Sequence, residues 1–497
     1  MNIVNLFLNA AKKYPNHTAI IELDKKISYE ELNKQVIQTA AYFKSKGLKK
    51  GDRVLVFAPM SINLYRIVLA LFYIGATAVF LDEWVSMKRL ELCCEIARCR
   101  GFIGGFKATA FSWFSAPLRR IPIKLNLTKM EQGLPTMEKV EAETPALITF
   151  TTGSTGTPKA ALRSHGFLNE QFNALLDEID PSETDIDMPV LPIVLFVNLG
   201  VGCTSVIANF KMTKPNSLNP SKIASQLQKN GVTRITASPF FIKKVAEYSK
   251  ENKLNFPKLD KVFTGGAPVF PTEAKLYCDA FPKTESKIVY GSTEAEPISS
   301  ISAKELATNK QLDKGLPVGI PYHKAQVKII AIEEGAIVVS SESELDQLEL
   351  EEGEIGEIIV EGPHVLKQYF NNEEAFRQNK IIVDDKIWHR TGDSGYTQNE
   401  ELFLTGRCKQ LIHSNNEIIS PFIIENQVQA IEGIEVGTVI KIKNDVVLVV
   451  QSKLAKEKVK ELVHGIRHNR ISILAKIPMD PRHNSKIDYE KLKTVLK

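Results

Sequence analysis

Cysteine is scarce and carries no pattern: Cys93, Cys94, Cys99, Cys203, Cys278 and Cys408 are the only six in 497 residues, and no CxxC pair occurs among them. That argues against a zinc ribbon or a disulfide framework and fits a reducing compartment, so a cytoplasmic location is expected. Long apolar runs are missing as well. VLALFYIGATAVFL at 68–81 contains a glycine and falls short of the about 20 residues a spanning helix needs, so no integral membrane segment is expected. Charge of one sign is lacking: 63 Lys and Arg against 58 Asp and Glu leave +5, too little over this length to argue for nucleic acid. There are no repeats or low-complexity tracts. The opening MNIVNLFLNAAKKYPNH has neither a basic leader nor a small-residue cleavage site and reads as an amphipathic helix. A hydrophobic substrate would make a membrane-near role reasonable, but no segment demonstrates one.

What is present is an ordinary globular composition, 43% hydrophobic and 24% charged, on a chain long enough for two or three units. SYEELNKQVIQTAAYFKSKG at 28–47 has helical spacing with a serine at its start and a glycine at its end. RVLVFAP at 53–59 then reads as a buried strand, followed by a helix at 62–75 and a strand at 77–82. The alternation recurs at 222–239 and 240–266, which predicts α/β architecture with parallel sheets. From about 320 the texture changes to strand-like pieces at 325–332, 336–340, 357–362 and 402–406, an expected antiparallel sheet or small barrel. The acidic run at 344–357 reads as a solvated loop. The last ninety or so residues mix strands at 437–443 and 445–452 with a charged helix at 455–469, an expected α+β unit.

One loop concentrates chemistry. In TFTTGSTGTPKAALRSH at 149–165, glycines let backbone N–H groups converge on anionic oxygens, while hydroxyls and the Lys159 ammonium add donors. It is not a Walker loop, because Lys159 follows Pro158 and precedes Ala160. Taken alone it also reads as a flexible Ser/Thr/Gly hairpin. Further strings are YGSTEAEP at 290–297, TGGAPV at 264–269, WHRTGDSGY at 388–396, GRCKQLIHSNNEIISPFIIE at 406–425 and DPRHNSKIDYEKL at 480–492. Each has a plain structural reading: Tyr290 a core aromatic, TGDSG a turn, Lys486 a solvent-facing lysine.

Together and in this order the strings resemble the acyl-adenylate-forming superfamily, which includes acyl-CoA synthetases, luciferases and peptide-synthetase adenylation domains. The resemblance runs from SYEEL at 28–32 to Lys486. It implies a large amino-terminal domain over 1–405, made of two parallel αβαβα layers and a distorted β-barrel at about 320–405. A small mobile α+β lid over 406–497 would follow, with its hinge near Lys409. It implies the reaction of a carboxylate with ATP to give an acyl-adenylate and pyrophosphate. Thr151, Thr152, Gly153, Ser154, Thr155, Gly156, Thr157 and Lys159 would hold phosphates. Gly265, Gly266, Ala267, Pro268, Tyr290, Gly291, Ser292 and Thr293 would line the adenine, Asp393 would take the ribose hydroxyls, and Arg407 would reach ribose or phosphate. Glu294, with Thr151, would serve Mg²⁺, and Lys486 would meet the charge that develops at the α-phosphate.

The match has departures: Gln410 stands for the usual Asp, Asn416 for Gly and Ile423 for Glu. In MPVLPIVLFVNLGVG at 188–202, the resemblance places substrate residues at Asn198, Leu199 and Val201. The apolar neighbours favour an aliphatic acid, and the same string also reads as a buried helix. WHRTGD, TGGAPVFP, YGSTEAEP and DPRHNSKI are most similar to one branch, the β-lactone synthetases of bacterial olefin biosynthesis. Those enzymes activate long-chain β-hydroxy acids, and the β-hydroxyl then displaces AMP. Transfer to CoA, to a carrier protein or through a pathway enzyme stays open, as does a nucleotide-binding scaffold without activity.

Overall fold

The computed structural model describes residues 1–81, 87–152, 158–211, 214–414, 417–480 and 485–496. The helix expected at 28–47 runs Tyr29–Ser45, with the Ser28 hydroxyl accepting the Glu31 N–H at 3.2 Å and Glu30 and Glu31 in the first turn. Leu32, Val36, Ala40 and Phe43 recur at helical spacing and are fully buried. This face packs on the helix Ile62–Tyr73, which leads into the parallel strand Thr77–Phe80.

Two large sheets organise the chain. In a seven-stranded sheet, Pro145–Thr152, Thr77–Phe80, Arg53–Phe57, Gly101–Gly104 and Ile123–Asn126 run parallel, and Pro158–Ser164 turns back antiparallel beside Pro145–Thr152. A fourteen-stranded sheet has a parallel half that includes Ile186–Pro189, Arg234–Ala237, Lys261–Gly265 and Glu285–Ser292. It continues through Ala295–Ser302 and Leu316–Pro321 into antiparallel strands at Glu401–Arg407, Lys386–Gln398, Gly356–Glu361 and Gln326–Ile330.

The barrel expected at about 320–405 is therefore corrected: among the described residues these strands form no closed barrel. They prolong the parallel sheet. Leu316–Pro321 is shared between the halves, and at Gly319, with φ 82°, the register shifts where a side chain would strike the Ser300 carbonyl. The strand expected at 336–340 does not form; Ile337 and Val339 instead cap a cluster around Trp388 and Leu345 at the sheet edge. The acidic run is not all solvated, since Glu357 is buried and its Oε2 accepts from Arg390 Nε at 2.9 Å. The charged helix at 455–469 is short, Lys456–Leu462, and turns follow it to the strand Arg470–Leu474.

Among the described residues past 411, two hydrophobic clusters are built from that segment alone, while Phe422 packs on the cluster of the fourteen-stranded sheet. Ile424, Val428, Val439, Leu448 and Val463 form one, and Ile440, Val449, Ile477 and Leu492 another.

Candidate active site

The carboxyl ends of the parallel strands open on one cleft of about 1580 Å³, the place where open α/β sheets bind ligands. Its walls include Ala58 and Pro59 after Arg53–Phe57, Ser238 after Arg234–Ala237, Gly265 to Phe270 after Lys261–Gly265, and Tyr290 to Glu294 at the end of Glu285–Ser292. Gly265 has no alternative: a Cβ there would press on the Val289 carbonyl of the neighbouring strand.

Side chains from three strands meet here. The Tyr290 hydroxyl donates to Asp393 Oδ2 at 2.9 Å, and Arg407 Nε lies 3.0 Å from Asp393 Oδ1. The Asp393 N–H is held by Thr391 Oγ1 at 3.0 Å, and Arg407 Nη1 donates to the Thr391 carbonyl at 3.0 Å. Burial and the neighbouring carboxylate push the Tyr290 phenol well above its ordinary value, so it stays a donor. Asp393 in turn raises the Arg407 guanidinium.

At the other end, Glu294 is buried, its Oε1 accepting from the Tyr369 hydroxyl at 3.0 Å. Lys159 donates to Asn379 Oδ1 at 2.5 Å and stands 5.9 Å from the centre of the Tyr369 ring. Burial lowers the pKa of this lysine. Arg163, buried in Pro158–Ser164, donates to Thr149 Oγ1 at 3.0 Å and to the Thr293 carbonyl at 3.2 Å, tying the two motif-bearing strands together. Lys380 donates to the Leu366 carbonyl beneath the same ring, and burial pushes it down to about 7. His389 Nδ1 donates to the Asn379 carbonyl at 3.2 Å, and burial keeps this ring neutral. Sequence reasoning passed over Arg163, Tyr369, Lys380 and His389. None of them left a signal of its own: even Arg163 shares the strand Pro158–Ser164 with Lys159 and Ser164.

Lys486 lines the cleft from the carboxyl-terminal segment. Its carbonyl accepts the Asp480 N–H at 2.7 Å, and the Ser485 hydroxyl accepts the Phe240 N–H at 3.2 Å. Three residues on from Lys486, Tyr489 donates to Glu425 Oε1 at 2.7 Å, which also accepts from Thr438 at 2.6 Å.

Lys159, Gly265, Gly266, Ala267, Pro268, Tyr290, Gly291, Ser292, Thr293, Glu294, Asp393, Arg407 and Lys486 all line this one cleft. Lys409 sits in the short turn Cys408–Gln410 between Glu401–Arg407 and the hairpin that follows. Gly153, Ser154, Thr155, Gly156, Thr157 and Asn416 lie outside the described residues, as do the side chains of Thr151 and Thr152.

Asn198, Leu199 and Val201 are not among the residues that line this cleft. Asn198 is wholly buried; it donates to Asp187 Oδ2 at 2.7 Å and Ser205 at 3.0 Å and accepts from Arg234 at 2.6 Å. Leu199 and Val201 pack into apolar clusters. From this helix, Pro192–Val201, it is Pro192, Ile193 and Phe196 that face the cleft.

A model of the AMP-binding enzyme family matches residues 7–370. Among curated proteins, the chain is 27% identical to an olefin beta-lactone synthetase of Xanthomonas campestris pv. campestris, over 94% of this chain and 90% of that one. Its fold is similar to that of the amide bond synthetase McbA from Marinactinospora thermotolerans, with TM-score 0.83 and 18% identity over the whole of both chains. It is also similar to ATP-bound MatB from Rhodopseudomonas palustris, with TM-score 0.82 and 20% identity over 100% of this chain and 99% of that one.

Proposed function

This chain belongs to the AMP-binding enzyme family, and on that premise we propose that it activates a fatty or 3-hydroxy fatty acid as its acyl-adenylate at the expense of ATP. The observation that carries the reading is the convergence of Lys159, Tyr290, Asp393, Arg407 and Lys486 on one cleft. The nucleophile arrives with the substrate, so catalysis is positioning and charge stabilisation. The Tyr290 ring lies against the purine, and Asp393, held by Tyr290 and Arg407, accepts from the ribose hydroxyls. A carboxylate oxygen attacks the α-phosphorus as the bond to the β-phosphate breaks. Lys159 and the loop at 151–157 hold the departing pyrophosphate, and the Lys486 ammonium meets the charge that builds at the α-phosphate.

Glu294 fits a single oxygen ligand for Mg²⁺. It is a buried carboxylate beside Lys159, and no group of three metal-binding side chains exists among the described residues. A magnesium ion held by Glu294 would offset phosphate charge. The unit past residue 406 acts as a lid that turns near Lys409 and brings Lys486 in.

Leu191, Pro192, Ile193, Phe196 and Phe210 give the cleft an apolar wall suited to an aliphatic chain. The likeness to an olefin beta-lactone synthetase favours closure by the substrate's own β-hydroxyl. Its oxygen attacks the acyl carbon, AMP leaves with the bonding pair, and the hydroxyl proton passes to solvent. Transfer to CoA or to a carrier protein is the second reading. Incubation with ATP and a 3-hydroxy fatty acid, with and without CoA, tests both. Acid-dependent AMP with a lactone supports the first, a thioester formed only with CoA supports the second, and ATP left intact with every acid overturns adenylation.

A further inference from the structure

The helix Phe106–Phe114 presents to solvent what a surface helix ordinarily buries. Of FKATAFSWF it buries one side chain, Ser112, while Phe106 is 91%, Phe114 87% and Trp113 59% exposed. A helix on a globular protein turns its apolar stripe to the core, and clustered exposed aromatics mark a binding surface. Charge adds a second, independent observation. Ile96 to Met130 contains seven Lys or Arg and no Asp or Glu, although the whole chain is nearly balanced at 63 against 58. Lys107, Arg119 and Arg120 are exposed beside the aromatics.

The location is specific. The helix follows the strand Gly101–Gly104, and Gly104 pairs with Phe57, whose next residues, Ala58 and Pro59, line the cleft. The helix thus starts at the cleft's end of the seven-stranded sheet, from the strand next to the one whose continuation forms the cleft wall.

We propose that this face docks the protein on an anionic lipid bilayer, Phe106, Trp113 and Phe114 entering the headgroup level and Lys107, Arg119 and Arg120 meeting lipid phosphates. Aromatic rings next to lysine and arginine suit that boundary, where the rings leave water and the cations meet a negative surface potential. A second copy of the chain fits poorly, because a two-fold contact would set two all-basic stretches face to face. No helix among the described residues is long and apolar enough to span a membrane, so the attachment is peripheral. The proposal stands apart from the identity of the acid.

The full chain is sedimented with vesicles of phosphatidylcholine alone and of phosphatidylcholine with phosphatidylglycerol. Binding is expected to the anionic vesicles only and to weaken as salt is raised. Arg119→Gln with Arg120→Gln weakens it roughly thirtyfold, at about fivefold per cation. Phe106→Ser with Phe114→Ser abolishes it, with pyrophosphate exchange in free solution unchanged in both variants. Failure to bind anionic vesicles, or equal binding by the variants, overturns the proposal. So does a change of oligomeric state in the Phe106→Ser, Phe114→Ser variant, since the face would then join copies of the chain.

Discussion

Tyr290 and Asp393, 103 positions apart, are joined by a hydrogen bond of 2.9 Å from phenol to carboxylate. The second carboxylate oxygen is held by Arg407 at 3.0 Å. The ring proposed for the base and the acceptor proposed for the sugar are therefore one unit, and a change in either is felt by both.

Tyr290→Phe keeps the ring and removes that bond. A hydrogen bond to a charged group contributes about 1.5–3 kcal/mol, so the KM for ATP should rise about tenfold or more. Asp393→Asn should raise it further, because Arg407 also loses its ion partner. Initial rates against ATP concentration, at saturating acid, read both effects; an unchanged KM in Tyr290→Phe would show that the bond does not order the site.

Lys486→Ala should lower kcat for adenylation about a hundredfold or more while ATP affinity by calorimetry changes little, as expected of a charge that acts in the transition state. Equal rates would remove Lys486 from the mechanism.

Asn198→Ala should cost about 3 kcal/mol of stability, because Arg234 and Asp187 would be left buried without a shared partner. The KM for the acid should stay as in the unaltered protein. A large rise in that KM without loss of stability would restore Asn198 to the substrate site.

What the sequence makes legible follows range. Tyr290, Glu294, Asp393, Arg407 and Lys486 sit in short strings of fixed spacing, which together carry the resemblance. Tyr369 matters through Glu294, 75 positions away, and Arg163 through Thr293, 130 positions away; neither has a local spacing to betray it. The resemblance points to Asn198 by position alone, and position does not show what packs around it. Its partner Arg234 lies 36 positions on, in a strand that shows no such role. The barrel expectation failed similarly: alternation identifies strands, but only the register at Gly319 decides whether they close or prolong a sheet.

Glu425 gives a pH test. Burial pushes its carboxyl up from 4.5 to about 7, so the folded chain keeps a proton that the unfolded chain releases. Stability from this group is full below pH 4.5 and declines as pH rises to about 7, by at most about 1.4 kcal/mol per pH unit. Glu425→Gln keeps an acceptor for Thr438 and Tyr489 without ionising. Melting temperatures at pH 5 and pH 8 should show the variant gaining on the unaltered protein at the higher pH; a constant difference would mean that Glu425 does not hold the proton.

Exchange of labelled pyrophosphate into ATP tests the central claim most directly, because it requires a reversible acyl-adenylate and nothing after it. Label should enter ATP only when a fatty or 3-hydroxy fatty acid is present, and the rate should collapse in Lys486→Ala. Absence of exchange across fatty, hydroxy-fatty, aryl and amino acids, with the protein folded and ATP bound, would contradict the account.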